Sequence, residues 1–159
     1  MMEQTGEKKV PLLEMQGFRV LFPGRKGPMA AVDGVDLSIY PGEIVGVVGE
    51  SGSGKSVMSQ SILRLREYET SLRYEGSIRF EGQDLLQLPL SALRQIRGNR
   101  ISVIFQDPLT SLSPVHTVGK QMGEVLRLHK KLSRKEALER SGELLHLVGI
   151  PDPARCLRQ

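Results

Sequence analysis

Apolar and polar residues alternate along the first third of the chain. Residues 12–22 and 31–40 both change character at roughly every second position, with interruptions, and Val32, Val35, Leu37 and Ile39 carry the second run. A period of two sends one strand face to a core and the other to water. Pro23-Gly24-Arg25-Lys26-Gly27-Pro28 is turn-forming sequence between the runs, so an antiparallel pair is expected. After a second turn at Pro41-Gly42 the pattern changes. Ile44-Val45-Gly46-Val47-Val48 is a short β-branched run that reads as a buried parallel strand. Val57, Ser61, Ile62 and Leu65, with Met58 beside them, then fall at helical spacing.

Residues 67–75 read as a polar loop, and Ser77-Ile78-Arg79-Phe80 as a short strand closed by Glu81-Gly82-Gln83-Asp84. Residues 89–97 carry Leu90, Leu93 and Ile96 on one side and meet Gly98, which predicts a short helix. Ile101-Ser102-Val103-Ile104-Phe105 is the next expected buried strand, ending at Gln106-Asp107-Pro108 and a Ser- and Pro-rich loop. Two helices are expected over residues 118–130 and 133–148. The second opens with a capping box, Ser133 with Glu136, and with Leu132 and Ala137 placed for a hydrophobic staple; Gly149 and Pro151 end it. There is no internal repeat.

Between the expected strand at 44–48 and the helix after it lies Gly49-Glu50-Ser51-Gly52-Ser53-Gly54-Lys55-Ser56, which fits G-x-x-x-x-G-K-[ST]. A triphosphate needs several donors converging on its oxygens, and backbone N–H groups in a turn that opens a helix supply them. Gly49, Gly52 and Gly54 keep that backbone bare and permit positive φ. Lys55 would set its ammonium by the β- and γ-phosphates, and the Ser56 hydroxyl would reach Mg²⁺. Strand, glycine loop and helix together identify a nucleotide site.

The composition narrows the class. The 159 residues are 39% hydrophobic and 25% charged, which fits one globular domain or a large piece of one. Aromatics make up 4% and there is no Trp, so a mostly aliphatic core is expected. A net charge of +4 is spread along the chain without interleaved aromatics, which favours solvated helix faces over nucleic acid as the reason for it. Cys156 is the only cysteine, so no intrachain disulfide forms and a reducing compartment fits. Residues 1–11 are a polar leader without a signal-peptide core, and no apolar run approaches membrane-spanning length.

Several motifs then agree on one family. From about Leu12 to Gln159 the chain resembles the ATP-binding subunits of ABC transporters, most closely those of the oligopeptide/dipeptide permease group, which also includes nickel and glutathione importers. The resemblance rests on Pro41-Gly42-Glu43, on the phosphate loop extended to Val57, and on Ile104-Phe105-Gln106-Asp107-Pro108-Leu109-Thr110-Ser111-Leu112-Ser113-Pro114. Thr117-Val118-Gly119 and Gly149-Ile150-Pro151-Asp152-Pro153 add to it, while Ser113 and His116 depart from the usual Asn and aromatic.

The resemblance implies an α/β P-loop nucleotide-binding domain. Its antiparallel β subdomain and core would span residues 12–106, and the start of its helical subdomain 106–159. It implies ATP and Mg²⁺ as cofactors, bound by residues 49–57. Gln106 would be the Q-loop glutamine, reaching Mg²⁺ and the attacking water. Phe22 would stack on adenine, with Phe18 as a rival. The implied partners are permease transmembrane subunits and a second nucleotide-binding subunit, at the cytoplasmic face of a prokaryotic inner membrane. The membrane would be met only through partner subunits, and nucleic acid is not implied.

Other parts of the family pattern have no match. No acid follows four apolar residues, Ser141-Gly142-Glu143 has only a superficial likeness to the signature, and His116, His129 and His146 do not suit the switch histidine. The chain is therefore expected to be the N-terminal part of a longer protein, by truncation, frameshift or partial gene model. It is expected to be marginally stable alone and to hydrolyse no ATP, its two apolar strands being left with unpaired edges. Two other classes stay open. A soluble GTPase or small-molecule kinase can use the same loop, although Asn-Lys-x-Asp and Asp-x-x-Gly are both absent. A non-catalytic fragment that competes for the membrane partner is the other.

Overall fold

A computed structural model describes residues 10–25, 27–66, 72–107 and 111–159. Residues 1–9 of the expected leader, the turn residue Lys26, residues 67–71 of the expected loop and the motif residues 108–110 lie outside the described residues. The chain divides into two compact units, Met1–Arg94 and Gln95–Gln159.

The first unit is built on an antiparallel sheet of four strands in the order β2-β1-β3-β4. These are β1 (Leu13–Phe22), β2 (Met29–Ile39), β3 (Arg73–Phe80) and β4 (Gln83–Asp84). The expected pair is β1 with β2, running from Leu13 opposite Ile39 to Phe22 opposite Met29. Alternation along β1 was interrupted for a reason. Leu13 and Met15 face the core, then Phe18 and Val20, so the inward parity switches from odd to even positions. A bulge at Gly17 makes the switch: its φ is 52°, its N–H donates to the Asp36 carboxylate at 2.7 Å, and both ladders of β1 shift register beside it.

β3 begins earlier than the sequence indicated. Arg73, Tyr74 and Glu75, assigned above to a polar loop, pair with Leu21, Val20 and Arg19. The Arg73 and Glu75 side chains lie in an ion-pair row that crosses the sheet, with Arg19–Asp33 at 2.8 Å and Arg73–Glu75 at 3.1 Å. Polar sequence here marks a solvated strand face. Beneath it, Phe18 stacks on Tyr74 with centroids 6.1 Å apart, among Met15, Val20, Ile78 and Leu85. The unit also holds α1 (Lys55–Ile62) and the start of α2 (Leu90–Ile96).

The expected strands at 44–48 and 101–105 are not formed. Among the described residues neither takes part in a ladder beyond one parallel bridge, Arg97 with Ile101. Ile44 is 99% exposed, Val48 94% and Ile104 95%. The residue types are those of buried strands, but a strand exists only with a neighbour to receive its hydrogen bonds.

The second unit packs α3 (Val118–Lys130) against α4 (Arg134–Leu147), with α5 (Pro153–Cys156) beside α4. Gly119 and Gly123 are buried on α3, and Gly119 allows a close approach: a β-carbon there would stand 2.8 Å from Leu157 O. Both helices are capped. Thr117 Oγ1 accepts from the Lys120 N–H, and the Ser133–Glu136 box closes in both directions. Hydrogen bonding to the carboxylate from the Ser133 side chain, and then from the Ser133 backbone N–H, holds the Glu136 carboxyl below its ordinary pKa. The start of α3 gains two more acceptors, Gln159 O for the Val118 N–H at 2.9 Å and Leu157 O for Gly119 at 3.0 Å. The short α5 was not foreseen; Asp152 caps it by accepting from Arg155 N, with Pro153 at its first position. Among the described residues no helix is long and apolar enough to cross a membrane.

Candidate phosphate-binding site

Residues 49–56 form a turn that delivers the chain into α1. Gly54 sits at the N-cap with φ 88°, and no side chain caps the helix. The first-turn N–H groups of α1 therefore lack the side-chain acceptor that α3 and α4 possess, as suits an anion site. Gly52 is also left-handed, at φ 81°. Gly49 is not, contrary to the sequence expectation; a β-carbon there would lie 2.8 Å from Ser53 Oγ, which would have to turn away.

Lys55 closes over this turn. Its ammonium donates to Gly49 O and Glu50 O, both at 2.7 Å, and to Ser53 Oγ at 3.2 Å. The Ser53 N–H donates to Glu50 O at 3.3 Å, which tightens the same loop. Gly49, Glu50, Ser53 and Lys55 are thus brought together by direct bonds, while Ser51 and Ser56 are exposed at its rim and Val57 is half-buried. A hollow of about 540 Å³ runs beside the loop, lined by β2 residues and by Val47, Val48 and Lys55.

The two aromatic candidates separate. Phe18 is fully buried against Tyr74 and has no face to offer a base, so it is removed as a rival. Phe22 ends β1, half-buried, with the Arg66 guanidinium 5.5 Å from its ring centroid. Gln106 belongs to the second unit and is exposed after Phe105. The three histidines also lie in that unit; His116 Nδ1 is 3.4 Å from the Lys120 ammonium. Among the described residues no group of His, Cys, Asp or Glu is arranged to hold a metal.

Sequence reasoning missed Gln121, Ala31 and Arg66. Gln121 follows a recognised motif but bonds only to backbone groups, which leave no mark in a sequence. The Ala31 carbonyl backs the loop so closely that a β-carbon on Gly54 would come 2.1 Å from it.

The chain is similar to the "Probable peptide ABC transporter ATP-binding protein y4tR" of Sinorhizobium fredii, with 47% identity over 97% of this chain and 46% of that protein. It is also 47% identical to the "Peptidoglycan transport ATP-binding protein YejF" of Agrobacterium fabrum, over 93% of this chain and 27% of that one. It thus spans about half the length, or less, of these relatives. Among solved structures, the dimeric bacterial ABC transporter cassette MJ0796 superposes with a TM-score of 0.76 at 24% identity, covering 92% of this chain and 60% of that one. The likeness to MJ0796 shows the P-loop ABC cassette fold, of which this chain holds a part. Residues 32–158 match the family model described as ABC transporter. The chain belongs to the ABC transporter family.

Proposed function

We propose that this chain binds Mg²⁺·ATP through residues 49–57 and forms part of the ATP-binding subunit of an importer for peptides or related small solutes. The observation that carries the reading is the uncapped start of α1, with the Lys55 ammonium held over the turn that leads into it. The donor set fits a triphosphate. The open N–H groups of the helix point where phosphate oxygens would lie, and the macrodipole favours negative charge there. Lys55 holds two carbonyls and a hydroxyl, and it would exchange these for phosphate oxygens, a charge-assisted replacement.

The Ser56 hydroxyl and the Gln106 amide would hold Mg²⁺, and Gln106 would also orient the attacking water. Phe22 would stack on the adenine. Bound Mg²⁺·ATP supplies the phosphoryl group; these residues position and neutralise it. In the whole protein a second nucleotide-binding subunit and permease transmembrane subunits complete the machine, at the cytoplasmic face of the membrane. The names of the relatives support peptide-type cargo. In this chain, which offers no strand-end acid to orient water, we propose binding without turnover.

Calorimetric titration of the wild-type chain with Mg²⁺·ATP tests the reading. Uptake is expected, and Lys55→Ala should remove it. No uptake by folded wild-type chain would overturn the proposal, as would strong preference for GTP.

A further inference from the structure

The chain that leaves α1 passes one of the aromatic candidates. Its turn is fixed by the backbone: the Arg64 N–H donates to Ser61 O at 3.0 Å and the Leu65 N–H to Gln60 O at 3.1 Å. From that turn the half-buried Arg66 sets its guanidinium over the Phe22 ring, 5.5 Å from the centroid. At that separation the cation is attracted by the negative face of the ring, so one face of Phe22 is covered. Met29, opposite Phe22 in the ladder, is 63% exposed, which leaves this end of the strand pair open to solvent. The register also sets the ring near the phosphate loop. Ala31 O backs Gly54, and the hollow beside Lys55 extends along β2 as far as Ala30, next to Met29. From Ala31 to Phe22 is about 7 Å along β2 and about 5 Å across to β1, a span that one nucleotide bridges.

We propose that Arg66 is a positioning residue for Phe22: its guanidinium backs one face of the ring, so that the opposite face receives the purine of a nucleoside triphosphate. This rests on the assignment of Phe22 to adenine given above. An aromatic side chain at a strand end has rotamer freedom to lose when a base stacks on it. A cation already seated on the ring fixes the orientation beforehand and spares the base that cost.

The test uses the whole chain with Arg66→Ala, Arg66→Met, Phe22→Ala and the double alanine variant. It reads affinity for Mg²⁺·ATP and for Mg²⁺·tripolyphosphate, which carries the phosphates without a base. Removing a cation weakens both anions through the long-range field, so the ratio of the two affinities is the readout. Arg66→Ala should lower the preference for ATP roughly two- to fivefold, the size of an accessible cation–π contact. Arg66→Met keeps an unbranched apolar stem for packing and should also lower it, which preserves the test if alanine unfolds the chain. Phe22→Ala should lower the preference roughly tenfold, as loss of base stacking does. The double variant should match Phe22→Ala, because the two side chains act as one unit. An unchanged preference in both Arg66 variants, a raised one, or an additive loss in the double variant would overturn the positioning role alone. If Phe22→Ala leaves the preference unchanged, or wild type takes up no Mg²⁺·ATP, the assignment of Phe22 falls and the positioning role with it.

Discussion

At Gly54 two constraints meet in one residue. Its φ of 88° is left-handed, and an added β-carbon would stand 2.1 Å from Ala31 O. The backbone alone makes alanine there cost roughly 1–2 kcal/mol, and the contact with rigid backbone adds to it. Gly54→Ala should therefore lower the urea midpoint and weaken Mg²⁺·ATP uptake together, whereas Lys55→Ala should remove uptake with little change in the midpoint. Equal midpoints for Gly54→Ala and wild type would show that the loop relaxes away from β2. The need for a bare backbone at 54 was legible in the glycine-lysine motif. The Ala31 carbonyl behind it was not, because a main-chain contact between distant segments imposes no side-chain pattern. Phe18 and Phe22 taught the same lesson. Two residues of one type and similar spacing differ only in burial, which depends on Tyr74 arriving from β3.

Elements whose signals are local were read with the right ends. The helix expected at 118–130 is Val118–Lys130, and the one at 133–148 is Arg134–Leu147 with Ser133 as its cap. Ser133→Ala should cost about 1 kcal/mol. The carboxyl of Glu136 has its pKa lowered by Ser133, so its contribution is complete above the ordinary glutamate range and is lost as pH falls through the lowered value. Glu136→Gln retains a capping side chain without the charge and should flatten that part of an acid titration of helicity followed by circular dichroism. Superimposable titrations for the two proteins would refute the box as a source of pH dependence. Strands fared less evenly. The pair of β1 and β2 was legible from alternation, whereas the start of β3 hid behind Arg73 and Glu75. Residues 44–48 and 101–105 have strand sequence and no ladder, since pairing is a property of two segments and composition belongs to one.

Across the whole molecule, apolar side chains without cover set the solution behaviour. Burial of an Ile or Val side chain is worth about 1.5–3 kcal/mol, and Ile44, Val48 and Ile104 are more than nine-tenths exposed. Two apolar strands with unpaired edges were expected; neither forms, but the apolar side chains are uncovered, and self-association is the hazard to expect from them. Replacing Ile44 and Ile104 by Lys should reduce concentration-dependent light scattering and change stability by no more than about 0.5 kcal/mol, as for ordinary surface sites. Marked destabilisation instead would mean that these side chains are packed in solution. The chain covers 60% of the MJ0796 cassette it superposes on, and its described residues hold one four-stranded sheet together with strand-like segments that join no sheet.

The bulge at Gly17 works as a parity switch for the strand that centres that sheet. Upstream of it odd-numbered residues look inward, downstream even-numbered ones do, and the Asp36 carboxylate pins the changeover. Straightening the strand while keeping this glycine would leave the composition untouched yet turn Phe18 and Val20 to water and Arg19 to the core, so the inside and outside of the sheet depend on the left-handed turn of a residue with no side chain.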